Sequence, residues 1–163
     1  MTAPLLSVRN LTVEFHTSEG VTRAVNNISF DIPHGKTIGI VGESGSGKSV
    51  TSLAVMGLLQ KPAAKIVSGE ILFNGEDLLT YDENQMRKLR GNQISMIFQE
   101  PMTSLNPVFK VGEQISEALR IHKNMNPKEA WDKAVDLLTQ VGIPNPAASA
   151  HKYPHEMSGG QKQ

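Results

Sequence analysis

The segment that most constrains the fold is a glycine-rich loop at residues 42–49, which lies between an apolar run and a stretch that can form a helix. It reads Gly-Glu-Ser-Gly-Ser-Gly-Lys-Ser and matches G-x-x-x-x-G-K-[ST] at every fixed position. Residues 37–41 before it are apolar and β-branched, as in a buried parallel strand, and residues 49–56 suit a helix. The motif therefore predicts a strand, a phosphate-binding loop and a helix in succession.

The charge of a polyphosphate explains this spacing. Glycines let successive backbone N–H groups point at one anion, and the helix that follows adds roughly half a positive charge at its N-terminus. Lys48 is expected to reach the β- and γ-phosphate oxygens, and the Ser49 hydroxyl to bind Mg²⁺. The predicted nucleotide-binding residues of the loop are Gly42, Glu43, Ser44, Gly45, Ser46, Gly47, Lys48, Ser49 and Val50. A dinucleotide fingerprint is excluded, because G-x-G-x-x-G started at Gly45 would need glycine where the chain has Val50.

Composition limits the class of protein. The 163 residues suit one domain, and a hydrophobic content of 39% can supply one core. The 16 basic and 16 acidic residues cancel, which argues against a nucleic acid partner. The chain has no cysteine, so disulfides are excluded and a structural zinc site is disfavoured. Residues 1–10 lack the pattern of a secretion signal, and no apolar run approaches the ~20 residues of a membrane span, so a membrane role would come through a partner.

Alternating apolar residues and turn signals predict an α/β organisation up to Gln99. The predicted strands are 11–16, 21–25, 28–32, 37–41, 69–73 and 94–98. The first two form a hairpin about the polar turn 17–20, and the strand at 69–73 ends in Asn74-Gly75, a strong hairpin-turn pair. A short charged helix is predicted over residues 82–90.

Past Pro101 the pattern becomes helical. One helix is predicted around residues 111–122, and another begins at Pro127 with Asn126 as its cap and ends near Gly142. We interpret Trp131 as a contact between helices and not as a base-stacking residue. His151 and His155 stand four apart, but Pro154 interrupts the helix that a zinc-binding pair would need.

A second motif, Met-Ser-Gly-Gly-Gln, occupies residues 157–161. Ser158 can cap a helix, and the two glycines after it expose N–H groups to an anion. With the phosphate loop and Gln99 before it, in this order, the motif resembles the ATP-binding cassette (ABC) family of ATPases, whose signature is L-S-G-G-Q. The sequences of residues 99–107 and 153–161 are similar to those of ATPase subunits of bacterial oligopeptide and dipeptide importers, a branch that includes nickel and glutathione importers.

The resemblance implies an α/β fold: a P-loop NTPase (ABC ATPase) core with an N-terminal antiparallel β subdomain and an inserted α-helical subdomain, the C-terminal part of the core being missing. It places residues 1–99 in the β subdomain and core, and residues 100–163 in the helical subdomain through the signature. In the family, that subdomain docks on a coupling helix of the transporter.

The resemblance also implies roles for single residues. Phe15 would stack on adenine, although its place also suits a core residue of its strand. Gln99 would contact Mg²⁺ or the attacking water, and no other catalytic residue is assigned. The signature residues, which would contact the γ-phosphate held by the opposite subunit, are Ser158, Gly159, Gly160 and Gln161. The implied cofactors are ATP and Mg²⁺, with Ser49 and Gln99 as the metal contacts.

The implied activity is ATP hydrolysis that powers uptake of peptides or a related small solute. The implied partners are a second ATPase subunit, identical or not, two transmembrane permease subunits and, indirectly, an extracytoplasmic solute-binding protein. Nucleic acid is not among them. Such a subunit would lie on the cytoplasmic face of the inner membrane.

In the family, the Walker B aspartate, the catalytic glutamate, the D-loop and the switch histidine follow the signature, and this chain ends at Gln163 before them. A general base contributes about 10²–10⁴-fold in rate. The chain alone is therefore expected to hydrolyse ATP negligibly and to fold poorly, because segment 37–41 would lack some of its sheet neighbours.

Three alternatives remain open from the sequence. An ABC ATPase outside transport would carry coiled-coil, zinc or tandem-cassette insertions, and none lies between Phe98 and Met157. A phosphate-loop kinase or GTPase should lack the signature, and the guanine-reading N-K-x-D is not found. The third is a fragment that binds nucleotide without hydrolysing it.

Overall fold

The structure, a computed structural model, describes residues 3–98 and 104–162. It divides into two compact units, residues 1–90 and residues 91–163, which are described separately. The predicted boundary, between residues 99 and 100, falls in the part of the chain that is not described and stays a prediction.

The first unit contains an antiparallel sheet of four strands. Its strands are β1 (Leu6–Thr17), β2 (Gly20–Ile32), β3 (Ala64–Phe73) and β4 (Glu76–Asp77), in the spatial order β2-β1-β3-β4. Because β1 is central, its side chains form the middle of the core, and Val8, Leu11 and Val13 are buried almost completely. The predicted hairpin turns at 17–20 and 74–75 are confirmed, and Asn74 and Gly75 both have positive φ, as a tight hairpin turn requires.

The two predicted segments 21–25 and 28–32 form one strand, β2. Asn27 has a φ of 52° between them, and its N–H donates to the Thr12 hydroxyl at 3.1 Å. The irregular residue is thus bonded back to β1, so pairing continues on both sides of it. The predicted half-buried alternation of Ile28, Phe30 and Ile32 is confirmed.

Two helices pack with this sheet in the same unit. Helix α1 (Lys48–Val55) follows the glycine-rich loop, and α2 (Glu83–Leu89) starts at a capping box between Asp82 and Gln85. Both helices agree with the sequence prediction. After α2, the Arg90 side chain donates to the carbonyl oxygens of Met56 (2.7 Å) and Gly57 (3.1 Å), which lie just past the end of α1. A cation therefore satisfies carbonyl groups that the end of a helix leaves without partners.

The parallel strand predicted at 37–41 and the strand predicted at 94–98 are both wrong in this structure. Residues 37–41 and 95–98 form no strand, and Val41 and Ile97 are 93% and 95% exposed. A strand needs a neighbour for its N–H and C=O groups, and the sheet of the described residues is built from other segments. The helix of the strand–loop–helix prediction is thus confirmed, and the strand before the loop is not formed.

The second unit is helical. It contains α3 (Val111–Lys123), α4 (Pro127–Gln140), α5 (Pro146–Ala150) and α6 (Gly159–Lys162), with a 3₁₀ turn at Pro154–Glu156. The predicted starts at Val111 and Pro127 and the Asn126 cap are confirmed. Trp131 packs on a core that includes Val111, Leu138, Ala150 and Met157, which confirms it as a contact between helices. Over residues 3–98 and 104–162, no helix has both the length and the apolar character needed to cross a bilayer.

Candidate nucleotide-binding site

The backbone of the glycine-rich loop depends on its glycines. Gly45 and Gly47 have φ values of 83° and 89°, in the left-handed region that side chains disfavour. A Cβ at Gly47 would lie 2.4 Å from the Ala24 carbonyl oxygen, and one at Gly42 would lie 2.6 Å from the Ser46 hydroxyl. The loop can therefore adopt this conformation only with glycine at these positions.

Lys48 fixes the inside of the loop. Its ammonium donates to the carbonyl oxygens of Gly42 and Glu43 at 2.8 and 2.7 Å, and to the Ser46 hydroxyl at 3.2 Å. All three N–H donors of the Lys48 ammonium thus bond to earlier residues of the same loop. The side chain is held where an anion in the loop would meet its charge.

The start of α1 presents unused backbone donors. Gly47 is its N-cap, and no side chain caps the helix. Within the described residues, the hydrogen bonds leave the N–H groups of Gly45, Gly47, Lys48 and Ser49 without an acceptor. Helix N-termini with free N–H groups bind phosphate through those groups and the helix dipole.

Thr51 anchors this start, although the sequence analysis did not single it out. It is buried, and both its N–H and its hydroxyl donate to the Gly47 carbonyl at 2.9 Å. A hydroxyl four residues after the loop glycine is the available signal, because threonine in a helix bonds the carbonyl one turn back.

A cavity of about 690 Å³ opens beside the loop. It is lined by residues of β2 from Arg23 to Phe30, by segment 38–42, and by Ser46, Gly47, Lys48 and Thr51. Of the described residues that line it, two are cationic, Arg23 and Lys48, and none carries a carboxylate. The volume is typical of a small-molecule site, and the donors and charge fit a triphosphate.

The predicted metal contacts are placed only in part. Ser49 is exposed in the first turn of α1, next to the lysine, so its hydroxyl is accessible to a cation held by phosphate oxygens. Gln99, the other predicted contact, lies outside the described residues.

Phe15 lies in β1, where it pairs with Thr22 of β2 and Ala64 of β3 and is half-buried. It is not among the described residues that line the cavity. Its stacking on adenine therefore stays a prediction.

The Ser-Gly-Gly-Gln motif lies in the helical unit. The Ser158 N–H donates to the Gln161 side chain at 3.0 Å, and the Gln161 N–H donates to the Ser158 hydroxyl at 3.4 Å. Ser158 thus caps α6, as predicted, and it is exposed together with both glycines, while Met157 beside it is buried. The two histidines that precede the motif pack on aromatic rings, His151 on Trp131 and His155 on Tyr153.

Comparison with known proteins agrees with this geometry. The family model described as "ABC transporter" matches residues 25–163. The chain is 52% identical over 159 residues to the "Probable peptide ABC transporter ATP-binding protein y4tR" of Sinorhizobium fredii, covering 98% of this chain and 48% of that protein. It is 50% identical over 159 residues to the oligopeptide transport ATP-binding protein AppD of Bacillus subtilis, with the same two coverages.

A solved structure gives the same result for the fold. The dimeric structure of a post-hydrolysis state of the ATP-binding cassette MJ0796, bound to ADP and Pi, superposes with a TM-score of 0.80 at 26% identity. The match covers 96% of this chain and 65% of that one. The chain also spans about half the length of the curated relatives it matches. With the family model matched from β2 to the last residue, and with relatives of this similarity, the chain belongs to the ABC transporter family.

Proposed function

We infer that this chain is the nucleotide-binding part of an ATPase subunit that powers uptake of peptides or a related small solute. One observation carries the proposal: the cationic, carboxylate-free cavity in which Lys48 and the free N–H groups of α1 converge. The names of its relatives, peptide and oligopeptide transport ATP-binding proteins, support the substrate class.

Each part of the loop has a role in this proposal. The N–H groups of Gly45, Gly47, Lys48 and Ser49 bind phosphate oxygens, and Lys48 exchanges carbonyl oxygens of the loop for oxygens of the nucleotide. The hydroxyl of Ser49 and the amide of Gln99 hold Mg²⁺, which would offset charge on the phosphoryl oxygens. Phe15 stacks on the adenine ring.

The proposed assembly needs further polypeptides. The exposed Ser158, Gly159 and Gly160 contact the γ-phosphate bound by a second ATPase subunit, with Gln161 fixing the serine through the α6 cap. The helical unit docks on two permease subunits, placing the protein on the cytoplasmic face of the membrane, and a solute-binding protein delivers the solute from the other side.

Binding and hydrolysis are separate in this proposal. Of the described residues that line the cavity, none is an aspartate or a glutamate that could take a proton from the attacking water. Residues 1–163 alone should therefore turn MgATP over about 10²–10⁴-fold more slowly than an enzyme with a general base.

The proposal is tested in cells that lack the gene and take up a radiolabelled tripeptide poorly. The complete gene should restore uptake, and Lys48→Ala should abolish it, with MgATP binding by the purified protein weakened at least about tenfold. Lys65→Ala is the matched control, because Lys65 is an exposed lysine of β3 outside the cavity. Uptake that survives Lys48→Ala would contradict the proposal, and ATPase activity without any uptake would favour a role outside transport.

A further inference from the structure

Arg23 is the second cation of the phosphate-loop cavity, and the function proposed above gives it no role. It lies on β2, directly across from Glu14 on β1, and it lines the cavity together with Gly42, Ser46 and Lys48. Its side chain is 54% exposed, so the guanidinium is accessible to a ligand that enters the cavity.

The guanidinium is held in one orientation. Its Nε and Nη2 atoms donate to the Oε1 atom of Glu14 at 3.2 and 2.9 Å, and its Nη1 atom donates to the Asn26 side chain at 3.4 Å. Glu14 is itself fixed, since its side chain is only 15% exposed and its Oε2 atom lies 3.5 Å from His16. An arginine anchored on one edge is pre-organised, so less side-chain entropy is lost when the other edge binds a ligand.

The guanidinium of Arg23 still has N–H donors that are not used by Glu14 or Asn26. A guanidinium carries five N–H groups, and within the described residues three of them are used by Glu14 and Asn26. Arg23 lines the cavity and Glu14 does not, so the spare N–H groups belong to the member of the pair that borders the cavity. Planar N–H pairs are well suited to phosphate oxygens.

We propose that Arg23 contacts the triphosphate of the nucleotide, at oxygens that the glycine-rich loop leaves exposed, and that Glu14 positions it. The inference rests on the proposed function, because it needs a nucleotide in this cavity. It assigns the β1–β2 hairpin a direct part in binding the phosphates, in addition to that of the loop. The alternative is that Glu14 and Arg23 form only a cross-strand ion pair, which would stabilise the sheet and take no part in ligand binding.

The experiment measures the Kd for MgATP, and for adenosine as competitor, with the protein expressed from its complete gene. Arg23→Ala should weaken MgATP binding about tenfold, as expected for one charge-assisted hydrogen bond, and leave adenosine binding unchanged. Arg23→Lys should recover part of the loss, and Glu14→Gln should weaken MgATP binding by less than Arg23→Ala does. Arg87→Ala, which removes an exposed arginine of α2 outside the cavity, should change neither Kd.

Thermal unfolding of each variant separates the two readings. If Arg23→Ala and Glu14→Gln lower Tm together while the Kd for MgATP stays within twofold, Arg23 is only a cross-strand partner and the inference is wrong. If adenosine binding weakens as much as MgATP binding, the contact is to the nucleoside and the phosphate assignment is wrong. If the unchanged protein binds no MgATP, the proposed function itself fails, a result distinct from both.

Discussion

Gly47 carries two constraints at one residue. Its φ of 89° is strained for any side chain, and a Cβ there would meet the Ala24 carbonyl at 2.4 Å. Gly45 shares the first constraint, with a φ of 83°, but a Cβ there would meet nothing within 4 Å. Substitutions at the two glycines therefore separate the cost of backbone strain from the cost of a steric clash.

We expect Gly47→Ala to destabilise the protein by about 2–4 kcal/mol, because the new methyl group must displace backbone of β2 in addition to the strain. Gly45→Ala should cost only the strain of positive φ, about 1–2 kcal/mol. Urea unfolding of both variants measures the difference. Equal losses of stability would show that the contact with Ala24 does not constrain the loop.

Glu83 gives a prediction about pH. Its carboxylate accepts from Arg90 at 2.7 Å, and this hydrogen bond, with the charge of Arg90, lowers the pKa of Glu83 below its ordinary value of 4.5. A lowered folded-state pKa means that the stabilisation is complete above pH 4.5 and is lost as the pH falls through the lowered value. Glu83→Gln should therefore lower Tm at pH 7, and the difference from the unchanged protein should shrink toward pH 3.

The control for this effect is Glu19→Gln, in the exposed turn between β1 and β2, where no ion pair is found among the described residues. It should leave Tm nearly unchanged at both pH values. A Glu83→Gln deficit that is the same at pH 7 and pH 3 would mean that the stabilisation does not come from the charge.

Between elements, the contact of α3 with α4 is set by a glycine facing an indole. A Cβ at Gly112 would lie 2.8 Å from Cη2 of Trp131 and 2.9 Å from the Ala150 carbonyl oxygen. Gly112→Ala should therefore destabilise the helical unit by about 1–3 kcal/mol, since neither a ring in a core nor a backbone carbonyl moves easily. Guanidinium unfolding monitored by circular dichroism checks this.

A double variant tests the cause of that loss. Trp131→Phe removes the ring atoms nearest to the new methyl group, so the loss caused by Gly112→Ala should be smaller in the Trp131→Phe background. Additive losses would instead assign the effect of Gly112→Ala to the backbone of Ala150.

The sequence predicted those elements that are specified locally. The caps at Asp82 and Asn126 and the turn at Asn74-Gly75 depend on residues within one turn of one another, and each was found. The strands predicted at 37–41 and 94–98 depend on neighbours distant in the chain, and they were not found. The start of β3 was placed too late, because the sequence predicted a strand beginning at Gly69, whereas this glycine lies inside β3. A Cβ at Gly69 would come 2.6 Å from the Arg9 carbonyl, so the glycine serves a close approach to β1.

The candidate site shows the same division. The loop residues and Lys48 could be predicted because one short motif contains them all, and the N-cap of α1 follows from it. Arg23 could not, because its place beside the loop comes from the pairing of β2. Thr51 was missed although its position four residues after Gly47 was a local signal. The roles of Phe15 and Gln99 rest on resemblance alone.

For the whole molecule, the exposed apolar segments predict how residues 1–163 behave when purified alone. Val41 and Ile97 are almost fully exposed, each beside another exposed apolar residue, and the backbone there is not paired into a sheet. Such segments favour association between chains. We expect this polypeptide to bind the dye ANS and to sediment as aggregates, and Val41→Ser with Ile97→Ser to reduce both.

Val141→Ser is the matched control, because Val141 is also exposed, at 73%, but stands alone at the end of α4. A single apolar residue on a surface is ordinary, so this change should leave sedimentation unaltered. Monodisperse residues 1–163 with no ANS signal would contradict the prediction.

One set of hydrogen bonds in the helical unit has a mechanical consequence. The Gln114 side chain binds Asn106 and Phe109, and the Val111 N–H at the start of α3 donates to the Lys152 carbonyl at 2.9 Å. Lys152 leads through the 3₁₀ turn to Ser158. Residues 106–109 and the segment that leads to Ser158 are thus both bonded to the first turns of α3, so a displacement of α3 would move both segments together.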